Sequence, residues 1–230
     1  MGFMTTPRRS TSAEDRPDRK TAILLAAEKL FAKHGYDGVS LRQIADEAAV
    51  QLALVDYYFG QKHDLFEAVF ARWRGTIDQR LASLKEAMRA APAERLQRLV
   101  DAFLQPVLRL RASSEGEYYA LMVARELYNQ HEHADHVMRA YFDPMAHAFI
   151  DALHVALPHA RREDAAWVYQ FMLGALLHHL RDDRIARLSR NRCKPADPAA
   201  APMLTRFIVG GIVAALPVPS RTSTRRRKTP

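Results

Sequence analysis

The chain has 230 residues, 48% of them apolar and 26% charged, with a net charge of +8 and a single cysteine, Cys193. One thiol excludes an internal disulfide and a cysteine-based metal cluster, which suits a reducing compartment. The charge is uneven: residues 1–20 hold five basic and three acidic groups, residues 218–230 hold five basic and none acidic, and the long stretch between them is nearly neutral.

Taken in chain order, the apolar residues have helical spacing throughout. From Arg19 to Lys33, the residues Ile23, Leu24, Ala27, Leu30 and Phe31 share one face, and Gly35 stands where a left-handed stop is expected. Ser40-Leu-Arg-Gln43 has the form of a capping box, so a short helix starts there with Leu41, Ile44, Ala45 and Ala48 inward. The pattern breaks at Ala49-Val50-Gln51 and resumes with Val55 and Phe59 one turn apart, ending at Gly60. A long helix is predicted from Lys62 to about Met88, followed by helices over 96–110, 118–128, 136–157, 162–180 and 203–216. Pro106 and Pro144 mark a kink or a boundary, and Ser189 to Pro202 reads as a flexible connection. No strand periodicity is present, and the fold class is all-α.

The apolar run MLTRFIVGGIVAAL has 14 residues and contains Arg206, short of the ~20 that a bilayer crossing needs. With no secretory signal either, a cytoplasmic chain without a membrane partner is expected. The cluster His131-Glu-His-Ala-Asp-His136 invites a metal, but His131 and His133 are two apart and diverge on a helix, so no metal site is expected. No Ser/His/Asp order, paired-carboxylate motif, HExxH or phosphate-binding glycine loop appears, so neither catalysis nor a cofactor is expected.

A helix, a capped short helix, a three-residue turn and a second short helix make a tri-helical helix-turn-helix, a unit that lays its third helix in the major groove of DNA. The same stretch carries a resemblance. LFAKHGYDG, SLRQIA, the Tyr57…Phe59-Gly60 group and Lys62-His-Asp-Leu65, within Ile23 to Val69, resemble the N-terminal domain of the TetR family of bacterial transcriptional regulators. The match covers about a fifth of the chain. Carried over by position, it implies phosphate contacts at Ser40 and Arg42, base-edge contacts from Gln51, Leu52 and Ala53, and further DNA contacts from Tyr57, Tyr58 and Lys62. The chain departs from the family pattern at Ala49, where Gly is usual, and at Leu52, Asp56 and Tyr58.

The resemblance implies four segments: a flexible basic arm over 1–17, a helix-turn-helix domain over 18–62, a ligand-binding and dimerisation domain over 63–217, and a disordered basic tail over 218–230. AAWVYQFMLGALLHHL and RFIVGGIVAAL are apolar nearly all round; they are either core helices or helices shared with a second copy. The family implies a homodimer, with an interface drawn from Trp167, Phe171, Gly174, Leu177, Phe207, Gly210 and Gly211. Tyr118, Tyr119, Met122, Arg125, Tyr128, Met145, Phe149, Phe171 and Met172 mix apolar lining with polar handles and are the candidates for holding a small hydrophobic effector. The implied protein is a ligand-responsive repressor at a palindromic double-stranded DNA operator, associated with the nucleoid. The alternatives are an activator and a helical adaptor.

Residues 21–70 carry four basic and seven acidic groups. Affinity for DNA rests largely on phosphate neutralisation, so the arm with Arg8, Arg9, Arg16, Arg19 and Lys20 is expected to supply charge that the helical domain lacks.

Overall fold

The computed structural model describes residues 18–128 and 132–218. The arm over 1–17, the tail from 219 onward and His131 of the histidine cluster lie outside the described residues. Among the described residues there are twelve α-helices and no strand. They are α1 (Arg19–His34), α2 (Leu41–Glu47), α3 (Leu52–Phe59), α4 (Lys62–Arg72), α5 (Arg74–Arg89), α6 (Pro92–Ala112), α7 (Glu117–Glu126), α8 (Glu132–Val137), α9 (Asp143–Ala156), α10 (Arg162–Arg181), α11 (Arg184–Leu188) and α12 (Ala201–Ala215).

The starts and stops follow local chemistry. The capping box at Ser40 forms: its hydroxyl accepts from the Gln43 amide at 3.3 Å, and the Gln43 side chain accepts from the Ser40 amide at 2.8 Å. Gly35 ends α1 at φ 77°, ψ 170° rather than in the left-handed helical well, a region open mainly to glycine. Ala49, between α2 and α3, sits at φ 53°. A Cβ in that conformation clashes with the following carbonyl, so Ala49→Gly is expected to stabilise the protein by about 0.5–1 kcal/mol. Thermal unfolding should show a rise of about 2–4 °C; no rise, or a fall, would mean the turn carries no strain.

Three boundaries differ from the sequence pattern. The helix predicted from Lys62 to Met88 is broken at Trp73, whose φ −97°, ψ 8° separates α4 from α5. The break is held by side chains: Trp73 Nε1 donates to Glu28 Oε2 at 2.7 Å, and the indole stacks on Tyr119 at 5.1 Å. The segment predicted as one helix over 136–157 contains a π-helical turn, Met138–Phe142, and α9 begins at Asp143 with Pro144 in its first turn. Pro106 lies inside α6, which runs unbroken past it. Part of the predicted flexible connection is a short 3₁₀ turn, Pro198–Ala200, leading into α12.

Two apolar clusters organise the molecule. One gathers Phe31, Ile44, Val55, Phe66 and Phe70 of α1 to α4, together with Tyr119 and Met122 of α7. The other gathers Leu99, Phe103, Phe149, Leu153, Met172 and Ile212 of α6, α9, α10 and α12. The first cluster runs across residue 62, the boundary drawn from sequence, because α4 and α7 pack directly on α1. A shift of α7 or α4 therefore has a direct mechanical path to the short helices.

Candidate nucleic-acid interface and effector cavity

The short helices present one surface. Val55 is fully buried and Phe59 half-buried, so α3 is clamped from one side, while Gln51, Ala53, Asp56 and Tyr57 are exposed on the other. Tyr57 is 80% exposed, an unusual placement for a large ring with nothing to cover it. Ser40 and Arg42 are exposed at the start of α2, and Leu52 and Tyr58 are half-buried beside α3. A shallow groove lined by Arg19, Ala22, Gln51, Ala53 and Tyr57 runs along this surface.

Lys62 is placed differently from a free phosphate contact. Its Nζ donates to the carbonyls of Tyr36 and Val39, both at 3.0 Å, and lies 4.2 Å over the Tyr36 ring. Those contacts use two of its three protons to tie the loop after α1 to the start of α4. Its visible work is to hold the α1–α2 loop.

A cavity of about 240 Å³ lies between α5, α6, α7, the π turn, α9 and α10. Its walls are mostly aliphatic, with Thr76, Arg80, Tyr119, Asp143, Tyr169 and Gln170 as polar members. Of the residues expected there, Tyr119 and Met145 line it. The others do not, and helical phase is the reason: Tyr119, Ala120, Val123, Ala124 and Leu127 of α7 face the cavity. Tyr118, Met122 and Arg125 lie on the opposite side, toward α1. Tyr118 lies under Lys33 Nζ at 5.7 Å, Met122 is buried in the α1–α4 cluster, and Arg125 Nη2 donates to the Lys33 carbonyl at 2.9 Å. Tyr128 is 60% exposed, Phe149 and Met172 fill the second core cluster, and Phe171 points to solvent.

Arg80 is the buried charged residue that the sequence reading missed, whereas Tyr119 was among the residues expected at the cavity. Arg80 occupies the inward stripe of α5 with Ile77, Leu84 and Ala87. A charged residue at an apolar position of a helical stripe was the available signal. Its guanidinium donates to the Phe103 carbonyl at 3.3 Å and lies 5.1 Å over Phe103 and 5.7 Å over Phe149. Burial pushes its pKa down, and the nearby Tyr169 and Tyr119 hydroxyls act in the other direction. Tyr119 is buried, its hydroxyl finds no hydrogen-bond partner of good geometry, and burial raises its pKa. The adjacent Thr76 hydroxyl donates to the Trp73 carbonyl at 2.7 Å, and its oxygen is left to accept from the Tyr119 hydroxyl.

Tyr119 also joins the cavity to the short helices. Its backbone amide, in the first turn of α7 where helical amides lack intrahelical partners, bonds the buried carboxylate of Glu28 in α1. Glu28 also accepts from Trp73 Nε1 and from Arg72 Nη1 at 3.2 Å. Burial is the dominant influence and raises its pKa despite these bonds.

An exposed apolar face lies on α10 and α12. Trp167 and Phe171 stack at 5.9 Å and are 62% and 67% exposed; Met203 and Phe207 on α12 are equally open. No atom lies within 4 Å of where a Cβ would stand on Gly174, Gly210 or Gly211, leaving room for close helix approach. Leu177 departs from the expected interface: it is buried and lines the cavity, because it is about 120° round α10 from the exposed Phe171. The apolar stretch Pro198–Ala215 reaches 18 residues, enough to cross a bilayer by length and composition alone. One side of it packs on α6, however, with Ile208 and Ile212 buried, and Arg206 is exposed on another.

An N-terminal helix-turn-helix joined through α4 to a cavity-bearing helical domain defines a one-component bacterial regulatory protein. The chain belongs to the TetR family: residues 23–69 match the model for bacterial regulatory proteins of the tetR family, and residues 101–211 match the tetracyclin repressor-like C-terminal domain. The HTH-type transcriptional activator FasR of Mycolicibacterium smegmatis is 30% identical over 90 residues, 38% of this chain and 40% of that protein. The chain spans less than half the length of the curated relatives it matches. Among solved structures, the fatty acid degradation regulator FadR of Bacillus halodurans superposes with a TM-score of 0.57 at 16% identity, over 86% of this chain and 98% of that one. FadR of Bacillus subtilis in complex with stearoyl-CoA gives 0.54 at 16% identity, over 83% and 98%. At these identities the likeness speaks for the fold alone.

Proposed function

We propose that the protein is a DNA-binding transcriptional regulator, a repressor that grips a palindromic operator as a twofold dimer and lets go when a small hydrophobic effector enters the cavity. The observation that carries this reading is the α3 surface. A helix anchored by Val55 holds Gln51, Ala53 and the 80% exposed Tyr57 outward with nothing in the protomer to cover them. A second copy is the proposed occupant of the exposed face of α10 and α12, which would bring two such helices about one DNA turn (~34 Å) apart. The relative solved with stearoyl-CoA supports an effector with an apolar body. Such a regulator works in the cytoplasm, at the nucleoid.

Release requires the effector to prefer one arrangement of α7 and α4 over another, since a ligand indifferent to the two arrangements shifts nothing. Tyr119 is placed for this, with its ring on the cavity and its amide on Glu28 of α1.

Fluorescence anisotropy with a duplex from upstream of the gene tests the reading. The full chain should bind; Tyr57→Ala should weaken binding about tenfold without changing thermal stability, the size expected for loss of one well-made polar or stacking contact. Removal of residues 1–17 should lower affinity and flatten its salt dependence, if the arm neutralises phosphates as proposed. Binding that is indifferent to Tyr57, or an unchanged salt slope without the arm, would contradict the assigned interface.

A further inference from the structure

The cavity carries chemistry that an apolar effector would leave unused. Arg80 is 9% exposed, no carboxylate among the described residues lies within ion-pairing distance of it, and its Nε has no hydrogen-bond partner. A guanidinium has five N–H donors, and among the described residues its one hydrogen bond is to the Phe103 carbonyl. A buried charge left in that state is expensive, and a methionine of similar size would pack the same stripe without the penalty. Tyr119, 3% exposed, lines the same space, with Thr76 as the neighbour of its hydroxyl.

We propose that the cavity recognises a small monocarboxylic acid, its carboxylate seated between the Arg80 guanidinium and the Tyr119 hydroxyl and its hydrocarbon lying against Val107, Leu173 and Leu176. This rests on the effector reading above and specifies the effector's chemistry. A planar fork of N–H donors meets a carboxylate two bonds at a time, and a neighbouring phenol adds a third donor. One guanidinium balances one negative charge. Asp143 is the acidic side chain on the cavity wall, and it is exposed at the rim. Its charge opposes an anion parked at the mouth and so favours the orientation with the acid group inward. At about 240 Å³ the cavity is near the lower end of small-molecule pockets, which run from about 300 to 1,000 Å³. That suits a medium-chain or arylalkyl acid.

Isothermal titration of the full-length protein with octanoate and hydrocinnamate, against octanol and hydrocinnamyl alcohol, tests the proposal. At least one acid should bind, about tenfold or more tighter than its alcohol, the range expected for a charge-assisted bond. Arg80→Met should remove that preference while leaving a folded and more heat-stable protein. Tyr119→Phe, which keeps the ring, should reduce the preference and serves where Arg80→Met fails to fold. Acid and alcohol binding alike, neither acid binding at millimolar concentration, or octanoyl-CoA binding more tightly than octanoate would overturn the carboxylate site. Operator binding by the unliganded wild type is read separately. If an acid binds through Arg80 yet leaves the operator complex intact, the carboxylate site stands and the release mechanism proposed above falls.

Discussion

Replacing both Phe171 and Phe207 with glutamate is expected to give a monomer that keeps its helices and binds operator at least about 100-fold more weakly, since the gain from linking two half-sites is lost. Both rings stand outside the protomer core, 67% and 72% exposed, so the substitutions take from the protomer only the surface stack of Phe171 on Trp167. Between two copies they would bring four carboxylates into an apolar contact, where an unpaired charge costs several kcal/mol. Sedimentation velocity reports the assembly state, circular dichroism the helices, and anisotropy the DNA affinity. A variant that stays dimeric would place the subunit contact on another face.

The second large effect is at Glu28. Glu28→Ala removes the acceptor shared by the Trp73 indole, the Arg72 guanidinium and the Tyr119 amide, and opens a cavity in the first apolar cluster. Arg72 is partly exposed and regains water, which lowers the cost below that of a fully buried pair; the expected loss is about 2–3 kcal/mol. Glu28→Gln keeps the shape and tests the charge. Burial raises the folded-state pKa of Glu28 above its value in the unfolded chain, so the folded form holds its proton longer. The stability this provides is complete below the ordinary carboxylate range and is lost as pH rises through the raised value. Wild type should therefore lose ground to the Gln variant as pH rises above the ordinary carboxylate range, seen in paired melting curves. A gap that does not change with pH would show that Glu28 titrates alike in both states.

The same residue shows where the sequence could be read and where it could not. The periodicities of α1, α2 and α3, the capping box at Ser40 and the odd alanine at 49 were all legible, because each depends on neighbours within a few positions. The break at Trp73 was not. It is imposed by a carboxylate 45 residues away in sequence, and nothing local in RWRGT forbids a continuous helix. The cavity failed for a related reason: all of α7 is amphiphilic enough that its phase cannot be chosen without knowing that α1 covers the Tyr118, Met122 and Arg125 side. Arg125, expected as a polar handle at the cavity, bonds the Lys33 carbonyl instead. Arg80 is the guanidinium on the cavity, and its place among Ile77, Leu84 and Ala87 is the sign of it in the sequence. On α10 and α12, apolar residues on every side signalled two covered faces, and only the fold shows which residues belong to which: Leu177 inward, Phe171 and Phe207 outward.

The most direct measurement is the mass of the full-length protein in solution, alone and on a duplex carrying its operator. Two chains of 26.1 kDa in the free particle and two per palindromic duplex are predicted. A stable single-chain particle, or one chain saturating the palindrome, would contradict the account.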